Sequence, residues 1–141
     1  MKTFRKLISQ VIDAEDEASL PTEKTFLKDC DNPTVLKILD RLREHVDFTI
    51  KEKSYCILET LNRGHKWHTD TGNKNHMMWC TVGGTILLSG QHTGGHLVYS
   101  TNRGQKRIKN RKLYDLYVHS SDVLHMITPS TGTRRVFLLF I

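Results

Sequence analysis

Residues Trp79–Ser100 read WCTVGGTILLSGQHTGGHLVYS. A short apolar run, Trp79–Ser89, meets the turn signal Thr93-Gly94-Gly95, and a second run, Leu97–Ser100, resumes at once. Runs this short, bounded by glycine, suit strands rather than helices. The same texture extends in both directions. Further runs occur at Ser54–Leu61, Lys112–His119 and Arg134–Ile141, and further turn signals at Asn62-Arg63-Gly64, Thr71-Gly72-Asn73, Gly83-Gly84 and Asn102-Arg103-Gly104. Turns at intervals of about 8 to 12 residues predict a sandwich or barrel rather than βαβ units.

Upstream of about Asp47 the pattern is helical. Leu7, Ile8, Val11 and Ile12 recur at helical spacing. Beyond the breaker Pro21, Asn32-Pro33-Thr34 places a capping side chain and a first-turn proline ahead of Val35, Leu36, Ile38, Leu39, Leu42 and Val46. The expected architecture is mainly β (α+β): one domain over residues 1–141, with a helical support layer at 1–50 packed on a β core at 51–141.

Composition narrows the class. At 141 residues and 38% hydrophobic content the chain can bury one core but hardly two. No apolar run approaches the roughly 20 residues that span a bilayer. The N-terminal MKTFRKLISQVIDAEDE lacks the apolar region and cleavage site of a secretory signal, so the expected location is cytoplasmic. Cys30, Cys56 and Cys80 are odd in number and show no metal-binding spacing, which predicts reduced thiols. Lys and Arg outnumber Asp and Glu by 21 to 15, a net charge of +6 that favours acidic partners without specifying one. Eight histidines are the unusual feature.

His-x-Asp occurs at His45-Val46-Asp47 and at His68-Thr69-Asp70. The first closes the predicted helix, where residues two apart diverge and cannot grip one ion; its histidine suits a helix C-terminus instead. The second lies in an extended stretch between glycine turns, where alternation puts His68 and Asp70 on one face. His125, in Ser120-Ser121-Asp122-Val123-Leu124-His125, is the candidate third ligand. Two imidazoles and one carboxylate form the facial triad that suits non-haem Fe(II), with positions left open for other ligands. His65, His76, His92, His96 and His119 are further candidates, His119 being the best substitute for His125.

Gly132-Thr133-Arg134-Arg135 leads into the wholly apolar Val136–Ile141. A charge entering a core strand needs a counter-charge, so one arginine is expected to face inward for a reason. A guanidinium binds a carboxylate through two parallel hydrogen bonds, which suits a dicarboxylate cosubstrate. A protein carboxylate is the other candidate partner.

In this order, His68-Thr-Asp70, Thr93-Gly94-Gly95-His96-Leu97-Val98-Tyr99, Ser120–Pro129 and Gly132-Thr-Arg134 resemble the motifs of 2-oxoglutarate and Fe(II)-dependent dioxygenases, closest to the prolyl 4-hydroxylase-like branch. The match spans about residues 54 to 141. The resemblance implies a double-stranded β-helix, the cupin-like jelly roll, with Fe(II) held by His68, Asp70 and His125. It implies that Arg134 binds the distal carboxylate of 2-oxoglutarate, with Arg135 the register alternative. It also implies dioxygen as cosubstrate, hydroxylation of an unactivated C–H bond, and decarboxylation of 2-oxoglutarate to succinate and CO2. A prolyl-type or other protein side chain is the implied substrate.

The chain departs from the family pattern. His96 stands where family members carry glutamate, Leu61 where a tyrosine often donates to the cosubstrate, and Val136 where a serine commonly helps to hold it. The His125–Gly132 loop is one residue shorter than the commonest form, so the motif favours Arg134 and counting from His125 favours Arg135.

Two alternatives rest on Arg103, Lys106, Arg107, Lys109, Arg111 and Lys112, a basic run that could steer nucleic acid by phosphate contacts. One is a nucleic-acid-modifying dioxygenase of the same class. The other is a non-catalytic basic β-barrel that binds nucleic acid. A cupin-like metalloenzyme without 2-oxoglutarate would use the same three ligands.

Overall fold

The computed structural model describes residues 3–71 and 77–141. In chain order the elements are β1 (Arg5–Ile8), α1 (Ala14–Ala18), β2 (Thr25–Phe26), α2 (Pro33–Arg43), β3 (Tyr55–Leu61), β4 (His65–His68), β5 (Val82–Leu87), β6 (His92–Gly94), β7 (Leu97–Thr101), β8 (Gly104–Ile108), β9 (Leu116–Ser120), β10 (His125–Ile127), β11 (Ser130–Gly132) and β12 (Arg134–Phe140). Six strands form one sheet in the order β1-β9-β5-β12-β3-β2, four form a second in the order β4-β10-β7-β8, and β11 pairs with β6 in a short ribbon. Every pairing is antiparallel. β3-β12-β5-β9 facing β4-β10-β7-β8 is the strand order of a double-stranded β-helix, the fold expected from the sequence.

Alternation along β12 divides the interior in two. Arg134, Val136, Leu138 and Phe140 face a cavity between the sheets. Phe137, Leu139 and Ile141 face the other way, into a core with Ile8, Val35, Ile38, Leu39, Leu42, Ile86 and Leu116. Strands buried on both faces read as continuous hydrophobic runs, which is why Val136–Ile141 shows no polar alternation.

Helix α2 forms as its sequence suggests. Asn32 accepts hydrogen bonds from the Thr34 and Val35 amides, Pro33 occupies the first turn, and Val35, Ile38, Leu39 and Leu42 bury one face. Leu36, expected in the apolar stripe, is instead exposed. The helical expectation for Leu7–Ile12 needs correction. Arg5–Ile8 is an edge strand paired with β9, from Arg5 opposite His119 to Ile8 opposite Leu116. The chain then reverses at Gln10, in the left-handed region at φ 46°. The Gln10 amide donates to the Asp115 carboxylate and the Val11 amide to the Tyr114 carbonyl. Ile8, Val11 and Ile12 do reach the core, but a ladder of long-range hydrogen bonds replaces the helix.

Gly83-Gly84, expected as a turn, lies inside β5. The turn expected at Thr71-Gly72-Asn73 falls partly outside the described residues, as does His76. No helix among the described residues is long and apolar enough to cross a membrane.

Glu17 of α1 ties the helical layer to β12. Its carboxylate accepts from the Ser89 amide and hydroxyl at 3.1 and 2.7 Å, from Tyr114 Oη at 2.8 Å, and from the Arg135 guanidinium. Burial alone would raise its pKa, but these donors outweigh burial and hold it below 4.5. The depressed value means that this contribution to stability is present above pH 4.5 and is lost as the pH falls below it. Glu17→Gln is expected to cost about 2–3 kcal/mol at neutral pH. In urea unfolding between pH 3 and 7, the variant should also show a flatter pH dependence below 4.5 than the parent chain.

Candidate metal centre

The three candidate metal ligands come together where β4 pairs with β10. His68 ends β4 and His125 begins β10, directly opposite each other in register, with ring centroids 4.3 Å apart. Asp70 lies just beyond the end of β4, its amide donating to the Ser121 carbonyl at 3.0 Å. The strand geometry expected to place both His68 and Asp70 therefore places His68 alone, and a backbone hydrogen bond places Asp70. Ligand atoms of His68, Asp70 and His125 all lie within 4.8 Å of one another. Nε2 of His125 is 3.3 Å and Nε2 of His68 is 3.8 Å from Asp70 Oδ1.

Both imidazoles are oriented from behind. His68 Nδ1 lies 2.6 Å from the Lys66 carbonyl and His125 Nδ1 lies 2.9 Å from the Val123 carbonyl. Each Nδ1–H therefore donates to the backbone, which leaves the Nε2 lone pair facing Asp70, the arrangement that metal-ligating histidines use. Adjacent ligands about 2.1 Å from an ion stand about 3 Å apart, close to the spacing seen. The donor set and its orientation fit a divalent metal.

His119, the suggested substitute for His125, is a neighbour of the triad instead. Its Nε2–H donates to Asp70 Oδ2 at 2.6 Å, and Tyr99 Oη donates to its Nδ1 at 3.0 Å. Burial lowers the His119 pKa and favours this neutral form. Burial of Asp70 would raise its pKa, but the hydrogen bond from His119 outweighs burial and holds it well below the usual carboxylate range. Oδ2 is thus committed to His119 while Oδ1 faces the two ligand histidines. The sequence signals neither Tyr99 nor this use of His119, because residues 70, 99 and 119 meet only through the sheet pairing.

The triad lines a cavity of about 360 Å³ whose wall also includes Glu59, His65, Thr85, Leu97, Ile127, Arg134 and Val136. Arg134 is 1% exposed, and its Nε and Nη2 find no hydrogen-bond partner among the described residues. Burial lowers its pKa, and the field of Glu59 opposes the shift. Arg135 points to the opposite face and pairs with Glu17. Gly95 explains the glycine pair: a Cβ there would stand 2.8 Å from Arg134 Cδ, and its φ of +65° also disfavours a side chain.

Among the remaining histidines, His65 borders the cavity, where burial and then Arg134 lower its pKa. His92 and His96 line a separate recess. His45 lies just past the end of α2, on the surface. Arg103, Lys106, Arg107, Lys109 and Lys112 are exposed on and around β8, but Arg111 departs from that basic face and turns inward to donate to Thr85. Cys56 and Cys80 are buried free thiols, pushed up to about 12 by burial.

Gly83 makes room for the centre. A Cβ there would lie 1.7 Å from Asp70 Oδ2 and 2.8 Å from His119 Nε2, whereas one at Gly84 would first meet the movable end of Leu116 at 3.0 Å. Gly83→Ala should weaken Co(II) binding, followed by visible absorbance, about 10- to 100-fold. Gly84→Ala should bind within a few-fold of the parent chain.

No family model and no curated protein matches the sequence. Solved structures do. A prolyl-4-hydroxylase from Pseudomonas putida superposes with a TM-score of 0.70 at 15% identity, covering 97% of this chain and 83% of that one. A prolyl 4-hydroxylase from Phytophthora capsici gives 0.59 at 18% identity, over 89% and 49% of the two chains. A 2OG-Fe(II) oxygenase family oxidoreductase from Burkholderia pseudomallei gives 0.55 at 12% identity, over 78% and 52%. The chain thus spans most of the first structure and about half of the other two. The likeness is one of fold: this chain has the double-stranded β-helix of prolyl 4-hydroxylase and 2OG-Fe(II) oxygenase structures.

Proposed function

We propose that the chain is an Fe(II)- and 2-oxoglutarate-dependent dioxygenase that hydroxylates an unactivated C–H bond, with a prolyl-type or other peptide side chain as substrate. One observation carries the reading: a single cavity is lined both by an oriented His-Asp-His set and by a buried guanidinium that has no partner among the described residues. Buried charges are ordinarily paired, and an anionic ligand reaching from the metal to Arg134 would pair this one.

His68, Asp70 and His125 would hold Fe(II), which supplies the redox chemistry with dioxygen that no side chain provides. Arg134 would bind the distal carboxylate of 2-oxoglutarate in bidentate fashion. Leu97, Ile127, Val136, Leu138 and Phe140 give the cavity its apolar wall, which would limit water around a bound cosubstrate. His119 stays neutral and fixes Asp70, so no general acid or base is assigned.

Two of the three solved structures described above are prolyl 4-hydroxylases, and Phe140 on the cavity wall is backed by the tilted ring of Tyr55, 5.0 Å between centroids. Flat apolar faces of this kind suit a ring-bearing side chain. The basic strand β8 is the sheet edge opposite β4, which carries His68. Three strand spacings, about 14 Å, separate them, and this favours peptide over nucleic acid. The free thiols fit a reducing compartment, and we place the protein in the cytoplasm.

Anaerobic titration with Fe(II) and 2-oxoglutarate tests the reading. A weak visible charge-transfer band of the chelate is expected, and its absence from metal-loaded protein would overturn the proposal. Arg134→Ala should lower 2-oxoglutarate affinity by about 30-fold or more. Arg135→Ala should leave that affinity unchanged while reducing stability through Glu17; equal losses of affinity would contradict the assignment.

A further inference from the structure

The cavity has a second unmatched guanidinium beside it. Arg111, in the loop between β8 and β9, sends Nη2 to the Thr85 carbonyl and to Thr85 Oγ1, both at 2.9 Å. Its Nε and Nη1 are buried and find no partner among the described residues. Neither Arg111 nor Arg134 has a carboxylate within salt-bridge distance among the described residues. Tyr117 lies beneath the Arg111 guanidinium, 5.3 Å to the ring centroid, and fixes its plane.

Thr85 is the connection to the cavity. It lies in β5 opposite Leu138, on the cavity-facing side of the sheet that also bears Arg134. Its oxygen accepts from Arg111, so its own O–H is left to donate elsewhere. The residues that flank Arg134 on this wall, Leu61 across the sheet and Val136 along the strand, are apolar and offer a carboxylate no donor. Leu61 pairs with Arg134 across β3 and β12, and Val136 lines the cavity. The polar groups missing from those positions are present in another element.

We propose that Thr85 and Arg111 complete the carboxylate site that Arg134 begins, Thr85 donating its hydroxyl to the distal carboxylate of 2-oxoglutarate and Arg111 orienting that hydroxyl while adding a second positive charge. The inference rests on 2-oxoglutarate being the cosubstrate. Burial lowers the Arg111 pKa to about 10, and the field of Arg134 acts in the same direction, so the two cations sense each other and one anion between them would relieve both.

The test separates the carboxylate from the rest of the cosubstrate. Fe(II)-loaded parent protein is titrated anaerobically with 2-oxoglutarate and with 2-oxovalerate, which keeps the chelating end and lacks the distal carboxylate. Arg111→Met and the near-isosteric Thr85→Val should each weaken 2-oxoglutarate at least 10-fold. Both should leave 2-oxovalerate and Co(II) binding within about twofold of the parent chain. Unchanged 2-oxoglutarate affinity in both variants would overturn the inference. Equal losses for the two oxo acids would also overturn it, because that pattern marks a structural role only. A parent protein that gives no chelate band with either acid would instead sink the functional reading on which the inference rests.

Discussion

A buried cation without a partner is costly, and Arg134 has none among the described residues. Much of the surrounding structure serves to place it there. Alternation along β12 sends Arg134 inward and Arg135 outward to Glu17, so one adjacent pair of like residues supplies both a structural tie and a vacant charge. Gly95 gives up its side chain to admit the Arg134 stem. Elsewhere along the same cavity, Gly83 gives up its side chain to admit the Asp70 carboxylate and its His119 partner. Residues that stabilise nothing locally are thereby explained by what they make room for.

The candidate metal centre has a similar economy. Asp70 has two oxygens, and the fold divides them: Oδ2 is bound to His119, while Oδ1 faces the ligand histidines. Tyr99 behind His119 and the backbone carbonyls behind His68 and His125 hold each ring in one tautomer. The donors are oriented before any metal arrives, so binding need not order them first.

Features written in local sequence were legible. Asn32-Pro33 caps α2 as its composition implies, and the β texture beyond residue 50 gives the sheets. His68, Asp70 and His125 could be singled out because their residue types and order are distinctive. Features decided by distant pairing were not legible. Leu7, Ile8, Val11 and Ile12 have a spacing that a helix could use, yet hydrogen bonds to β9 and to Tyr114 and Asp115 override it. Gly83-Gly84 reads equally as a turn or as a place where other side chains approach a strand, and only Asp70 and His119 decide between them. Arg111 sits in a run of exposed basic residues that is uniform in sequence, and nothing there marks the one that turns inward to Thr85.

The donor set also bears on which ion occupies the centre. Two imidazoles and a carboxylate bind first-row divalent metals in the general order of their intrinsic affinities, in which zinc and copper rank above ferrous iron. The buried thiols are protonated and take no part, so no soft ligand alters that ranking. The His68 side chain is 41% exposed, which leaves the centre open to exchange with the surrounding solution. In the proposed dioxygenase, iron occupancy would therefore be governed by metal supply, and zinc in the medium would compete as a redox-silent ion.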